Sequence, residues 1–137
     1  LIFFLPIVSA AGGNSGTQAA SLIIRGLSIK EFSQSDAWRV LYREVLIGFM
    51  LGAILALIGF FRSYTWGMEA RIGFVLGISV WLLVLFGAMA GSMLPFVFKK
   101  INLDPAVVSS PFISTLMDVT GIVLYINIAL FVMTRFI

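Results

Sequence analysis

Asp118 is the residue in this sequence best placed to do chemistry. It stands in Ser114-Thr115-Leu116-Met117-Asp118-Val119-Thr120-Gly121 and is the one acidic residue deep inside an apolar run. A charge at that depth in a bilayer costs roughly 2.5–3.5 kcal/mol on insertion scales, so such a residue faces a bundle interior or a water-filled cavity. At helical spacing Ser114, Thr115, Gly121 and Tyr125 share its face. A carboxylate among hydroxyls is an oxygen-donor set suited to a hard cation such as Mg²⁺ or Ca²⁺. The structural alternative is an ion pair with a basic residue such as Arg25. The chain has no Cys and no His. Thiolate and imidazole metal sites, Cys or His nucleophiles and disulfides are therefore excluded.

A second polar set lies near the start, in Ala10-Ala11-Gly12-Gly13-Asn14-Ser15-Gly16-Thr17-Gln18. Its glycines weaken a helix but allow very close backbone approach. Asn14, Gln18, Ser21 and Arg25 follow at spacings of four, three and four, so a helix here carries one polar stripe. The stripe has two readings: glue for tight helix packing, or the wall of a water-filled path. A broken helix offering free carbonyls to an ion is a third arrangement, known in transporters. Glu44, beside Arg43, is either a surface charge or a cation-concentrating group at a pore mouth. Asp104-Pro105 and Ser110-Pro111 are two successive helix-start signals, with Ser109 and Ser110 between them and the last apolar run. They fit either a simple capped helix start or a short helix, a break and a second start.

The elements that must hold these groups are transmembrane helices. Of 137 residues, 61% are hydrophobic and 11% charged, and the mean hydropathy is +1.11. A soluble domain carries roughly 25% charged residues. Four apolar stretches, 1–24, 45–61, 72–98 and 112–134, each approach the ~17–25 residues of a span. The expected fold is all-α: an integral, polytopic helical bundle forming one unit over residues 1–137. Residues 35–43 read as an amphipathic interfacial helix capped by Ser35 or Asp36, with Trp38 and Tyr42 four apart as headgroup-level aromatics. Trp66 and Tyr64 suit the opposite interface. Gly48 with Gly52, and Gly87 with Gly91, read as small-residue helix contacts.

Charge bias orients the bundle. Arg25, Lys30, Arg39, Arg43, Lys99 and Lys100 fall on one side, against Arg62, Arg71 and Arg135 on the other. The positive-inside rule places the first and third connections in the cytoplasm and the C-terminus outside a plasma membrane. Topology thus accounts for the net charge of +3, which argues for a lipid-bilayer partner and no nucleic acid. The chain opens on Leu1 inside an apolar run, which reads as a fragment of a longer polypeptide.

One intramembrane carboxylate does not balance a divalent ion, and Mg²⁺ gives up water reluctantly. A homodimer with its two-fold axis along the path supplies two, facing each other around a largely hydrated ion, with Asn14 and Ser/Thr hydroxyls holding its waters. Neither an organic cofactor nor covalent catalysis is needed.

Gly12-Gly13-Asn14-Ser15-Gly16-Thr17-Gln18, followed by Ile24-Arg25-Gly26-Leu27, resembles the second transmembrane helix of the MgtE family of Mg²⁺ channels. Asp104-Pro105-Ala106, Ser109, Pro111-Phe112, Thr115 and Asp118-Val119-Thr120-Gly121 are similar to the fifth. The resemblance implies a homodimeric Mg²⁺-selective channel with its pore on the dimer axis. It also implies that the chain corresponds to four of the family's five spans. The family's pore Asp falls on Asp118 and its pore Asn on Asn14. A small residue one turn earlier, often Ala, is Ser114 here. A Gly near the pore in some members is Ala10, and an Asn before the Pro in some members is Ser110. Asp118 and Asn14 are thus the expected metal residues. Ala10, Gly13, Gln18, Ser114, Thr115 and Gly121 are the expected pore lining, and Glu44 and Ser110 the expected cytoplasmic mouth. Nothing here resembles the cytoplasmic N-terminal and CBS domains that many members carry.

Two transport modes fit these residues, a channel and a cation-coupled exchanger, since animal magnesium carriers resemble the same fold. An intramembrane aspartyl protease needs two carboxylates sharing a proton, and only Asp118 is placed for it. A non-transporting membrane subunit explains the glycines but leaves a deep carboxylate without a purpose.

Overall fold

A computed structural model describes residues 2–107 and 110–135, so Leu1 and Ser109, the residue just ahead of the second helix-start signal, lie outside the described residues. After a short 3-10 turn at Ile2–Phe4, four helices run up and down: α1 (Leu5–Ser28), α2 (Ala37–Thr65), α3 (Ala70–Lys100) and α4 (Ser110–Arg135). Short 3-10 turns also occupy Gln34–Asp36 and Pro105–Val107. At 1.5 Å per residue the helices are about 36–46 Å long, enough to cross a hydrocarbon core of about 30 Å. Three of them, α2, α3 and α4, are long and apolar enough to span by composition; α1 falls short because of its polar stripe.

Helix α1 is continuous from Leu5 to Ser28, so the broken-helix arrangement does not occur. The separate interfacial helix expected at 35–43 is also corrected. Residues 37–43 are the first turns of α2, which runs on into its apolar part without interruption. The expected cap moves as well. Ser33 precedes the 3-10 turn, and Asp36 Oδ2 accepts from the Ser33 backbone N–H at 2.9 Å and from its hydroxyl at 2.8 Å. No side-chain cap bond is made by Asp36 at the start of α2 itself. Trp38 and Tyr42 are nonetheless both well exposed. Asp104 caps as read, accepting from the Ala106 backbone N–H at 2.9 Å through Oδ1.

Each helix that leads into another ends the same way. Lys30, Gly67 and Asn102 adopt left-handed φ values of 59°, 72° and 60° just past α1, α2 and α3. Their turns return backbone N–H groups to the last carbonyls: Glu31 to Gly26 at 2.8 Å, Met68 to Ser63 at 3.2 Å and Leu103 to Phe98 at 2.9 Å. These bonds satisfy groups that a helix end leaves unpaired.

Helix α3 is the centre of the bundle, packed by α1, α2 and α4. Its Val75, Leu83 and Val84 are fully buried, with Val8 of α1 and Ile113 and Met117 of α4. Helix α2 touches chiefly α3: Gly48 and Gly52 sit against Leu85, Ala88 and Trp81, and Trp81 Nε1 donates to the Phe49 carbonyl at 3.1 Å. Most of the remaining α2 surface is exposed apolar side chain, as befits a lipid-facing helix.

The tightest contact joins α1 to α3. A Cβ on Gly91 would strike the backbone carbonyl of Gly16, and one on Gly87 the carbonyl of Gly12. Ser15 Oγ donates to the Val84 carbonyl across the same seam at 3.2 Å. Gly91→Ala is therefore expected to destabilise the bundle by about 1–3 kcal/mol, because backbone cannot yield to the new methyl. Gly59→Ala, whose methyl would meet only the Leu76 side chain at 3.4–3.5 Å, is expected to unfold like the parent. Thermal unfolding in detergent, followed by tryptophan fluorescence, checks both. Equal midpoints for Gly91→Ala and the parent would mean the seam is looser than described.

Candidate functional site

Helix α4 leans on α1 through small residues. A Cβ on Gly13 would sit 3.9 Å from Ser114 and 4.0 Å from Met117. One on Gly121 would approach Ser9 Oγ at 3.0 Å and Leu83 Cδ2 at 2.9 Å. The two helices are antiparallel, and this register puts Asn14, next to Gly13, at the level of the turn that carries Ser114. Asp118 follows one turn further along α4.

Gly13 and Gly121 are both buried in this seam, so they set how closely α1 and α4 approach and present no open surface. Ser114 is half-buried at its edge. Ala10, Asn14, Gln18, Ser21 and Arg25 are all exposed, forming a stripe along one face of α1. Asp118 and Thr115 are exposed on α4, as is Ser110 at its first turn. Thr115 Oγ1 is tied to its own helix, donating to the Pro111 carbonyl at 2.9 Å. Ser21 does the same to Thr17 at 2.8 Å.

The exposed residues flank the α1–α4 seam on the side away from α3. Buried α1 positions turn Gly12 and Gly16 to α3 and Ser9 and Gly13 to α4, which leaves Ala10 and Asn14 facing outward beyond α4. On α4 the buried positions Ile113, Met117 and Gly121 leave Asp118 outward beside α1. The fold thus gathers the two polar sets of the sequence onto one outer face of a helix pair.

The Asp118 carboxylate makes no hydrogen bond or ion pair with any described residue, and Arg25 is not its partner. It lies eight residues into α4, about 12 Å along the axis. Its exposed neighbours Val119, Ile122 and Val123 are apolar. A charged carboxylate at the centre of a bilayer costs roughly 2.5–3.5 kcal/mol on insertion scales. Among the described residues no three carboxylates come together, and Asp118 is the one acidic residue within α1 and α4.

Glu44 sits elsewhere. It is half-buried on the first turns of α2, in a cleft shared with Arg25, Arg39 and Arg43. Sequence reading did not anticipate that cleft, because its walls come from the end of α1 and the start of α2.

The chain as a whole has relatives among known proteins. The model of a family described as a divalent cation transporter, MgtE, matches residues 5–128. The chain is 36% identical over 129 residues to the magnesium transporter MgtE of Bacillus subtilis, covering 94% of this chain and 29% of that protein. It is 38% identical over 129 residues to the magnesium transporter MgtE of Thermus thermophilus, covering 94% and 28%. With the magnesium transporter MgtE of Enterococcus faecalis it shares 34% identity over 137 residues, 100% of this chain and 30% of that one. It thus spans less than a third of the length of these curated relatives. A family match over nearly the whole chain, on an all-helical membrane bundle whose one deep carboxylate is turned outward, places this protein in the MgtE family of divalent cation transporters.

Proposed function

We propose that this chain forms half of a Mg²⁺ path through the membrane, completed by a second copy across a two-fold axis. The observation that carries the proposal is the Asp118 carboxylate, outward, unpartnered among the described residues and at membrane depth beside the polar stripe of α1. A second copy applied to that face removes the carboxylate from lipid and sets two negative charges around the axis. Two charges balance one divalent ion. The relatives that match over this region are magnesium transporters by name, which supports Mg²⁺ as the cargo.

The chemistry follows from the ion. Mg²⁺ holds water in an octahedral shell and sheds it slowly. Paired Asp118 side chains attract the ion without stripping it, and Asn14 and Ser114 accept hydrogen bonds from its waters. Ala10, Gln18 and Thr115 extend the wet surface along the axis. The rest of the stripe, Ser21 and Arg25, leads towards the end of the bundle that the positive-inside rule assigns to the cytoplasm. No bond is made or broken in the protein, so the activity is transport and not catalysis. A pore of hydrated width favours the channel mode. Currents far above carrier turnover in a planar bilayer would agree with it, and flux saturating with a Na⁺ or H⁺ gradient would favour the exchanger.

Asp118→Asn keeps the shape and removes the charge. In proteoliposomes loaded with a Mg²⁺-sensitive dye it is expected to lower the initial flux tenfold or more, which corresponds to about 1.4 kcal/mol or more of lost stabilisation. Wild-type flux in that variant would sink the assignment of the site.

The two-copy arrangement has its own check, made background-free by the absence of native cysteine. Asp118→Cys in membranes is expected to give a cross-linked dimer with a short bifunctional thiol reagent. Leu57→Cys, on the exposed face of α2, is expected to give none. Cross-linking at position 57 and not at 118 would place the interface on the wrong helix.

A further inference from the structure

The cleft between the end of α1 and the start of α2 meets the proposed path only at Arg25, the last residue of the polar stripe. It encloses about 390 Å³ and is closed at one side by the turn that carries Glu31 and Phe32. Three guanidinium groups line it, Arg25 from α1 and Arg39 and Arg43 from α2. Two carboxylates, Glu31 and Glu44, share the wall, leaving one positive charge in excess.

None of these arginines forms an ion pair with a carboxylate of the cleft, though Arg43 acts on Glu44 through space. Among the described residues the single ion pair is Arg39 to Asp36, a carboxylate outside the cleft wall, at a weak 3.8 Å with the arginine side chain 87% exposed. Arg25 and Arg43 have no described carboxylate within ion-pair distance. The floor is of the opposite character: Ile23 and Val40 are buried, and the exposed Leu22 and Ile29 extend it outward. Trp38 and Tyr42 stand exposed on the neighbouring face of α2, where aromatic side chains mark the headgroup level of a bilayer.

We propose that this cleft binds an anionic phospholipid carrying a single phosphodiester, with its phosphate on Arg25, Arg39 and Arg43. Guanidinium groups take phosphate oxygens through paired N–H donors. Basic side chains at a membrane surface draw in acidic lipid. The glycerol and first methylenes lie on Leu22 and Ile29, which a soluble anion would leave exposed to water. Glu31 and Glu44 accept from headgroup hydroxyls and repel a headgroup with a second negative charge. Phosphatidylglycerol fits that description.

The test uses the 137-residue chain in detergent with equal amounts of phosphatidylglycerol and phosphatidylcholine, and native mass spectrometry to count retained lipid. The expected result is a preference of tenfold or more for phosphatidylglycerol. That preference should be lost in the triple variant Arg25→Gln/Arg39→Gln/Arg43→Gln. It should persist in Lys99→Gln/Lys100→Gln, which removes two exposed charges at the same end of the bundle. Arg43→Gln alone, checked for an unchanged unfolding midpoint, is expected to weaken the preference severalfold, so a folding failure of the triple variant leaves a readable result. Equal retention of both lipids, or an undiminished preference in Arg43→Gln and in the triple variant, overturns the proposal. Displacement of the lipid by millimolar glycerol 1-phosphate would also overturn it, in favour of a site for soluble phosphate.

Discussion

The structure depends on a contact between bare backbones. Gly12 and Gly16 of α1 lie against Gly87 and Gly91 of α3 so closely that a methyl group on the α3 glycines would strike a carbonyl of α1. In lipid, helices gain nothing from burying apolar side chains, because hydrocarbon surrounds them already. Association comes from dispersion between closely packed atoms and from hydrogen bonds across the interface. The glycine seam supplies the first and the Ser15 bond to Val84 the second. It holds in place the one helix whose composition does not suit the membrane.

The same seam shapes the polar face. With α1 pressed onto α3 on one side and α4 on another, its glycines are consumed by packing. Its larger polar side chains, Asn14, Gln18 and Arg25, are left facing outward. Helix α4 is set the same way by Gly13 and Gly121, which let Ser114 and Ser9 come close and turn Asp118 outward. A single protomer therefore presents a carboxyl group and a polar stripe on an outer face beside apolar side chains. The cost of that arrangement in hydrocarbon is what the proposed second copy relieves.

The outer helix obeys a different rule. Helix α2 meets α3 along Gly48, Gly52 and the edge of Trp81, with Phe49 packed on Trp81 at 5.0 Å between ring centroids. At its far end Trp66 stacks on Phe4 at 6.1 Å and carries the Arg62 guanidinium 4.3 Å above its ring. Elsewhere its surface is Leu, Ile, Phe and Met open to the bilayer. Where it begins, beside the end of α1, the chain gathers guanidinium and carboxylate groups into a cleft.

Much was legible in the residues themselves. Composition alone required a membrane, since so few charges cannot clothe a soluble surface. Hydropathy placed the apolar parts of α2, α3 and α4, and the absence of Cys and His confined any metal chemistry to oxygen. Asp118 stood out because its type conflicts with its surroundings, a conflict visible without coordinates. Only tertiary structure decided which way these groups point. Helical spacing puts Gly13 and Gly121 near polar neighbours, yet both are buried, because a residue without a side chain is worth most where two backbones meet. Spacing could not tell that residues 37–43 continue into α2, since an amphipathic turn reads alike whether it lies on the membrane or enters it. The cleft of Arg25, Arg39 and Arg43 was equally invisible, being formed by residues up to 18 positions apart that only a turn brings together. Sequence determined what chemistry was available; the packing of glycine against glycine decided where it faces.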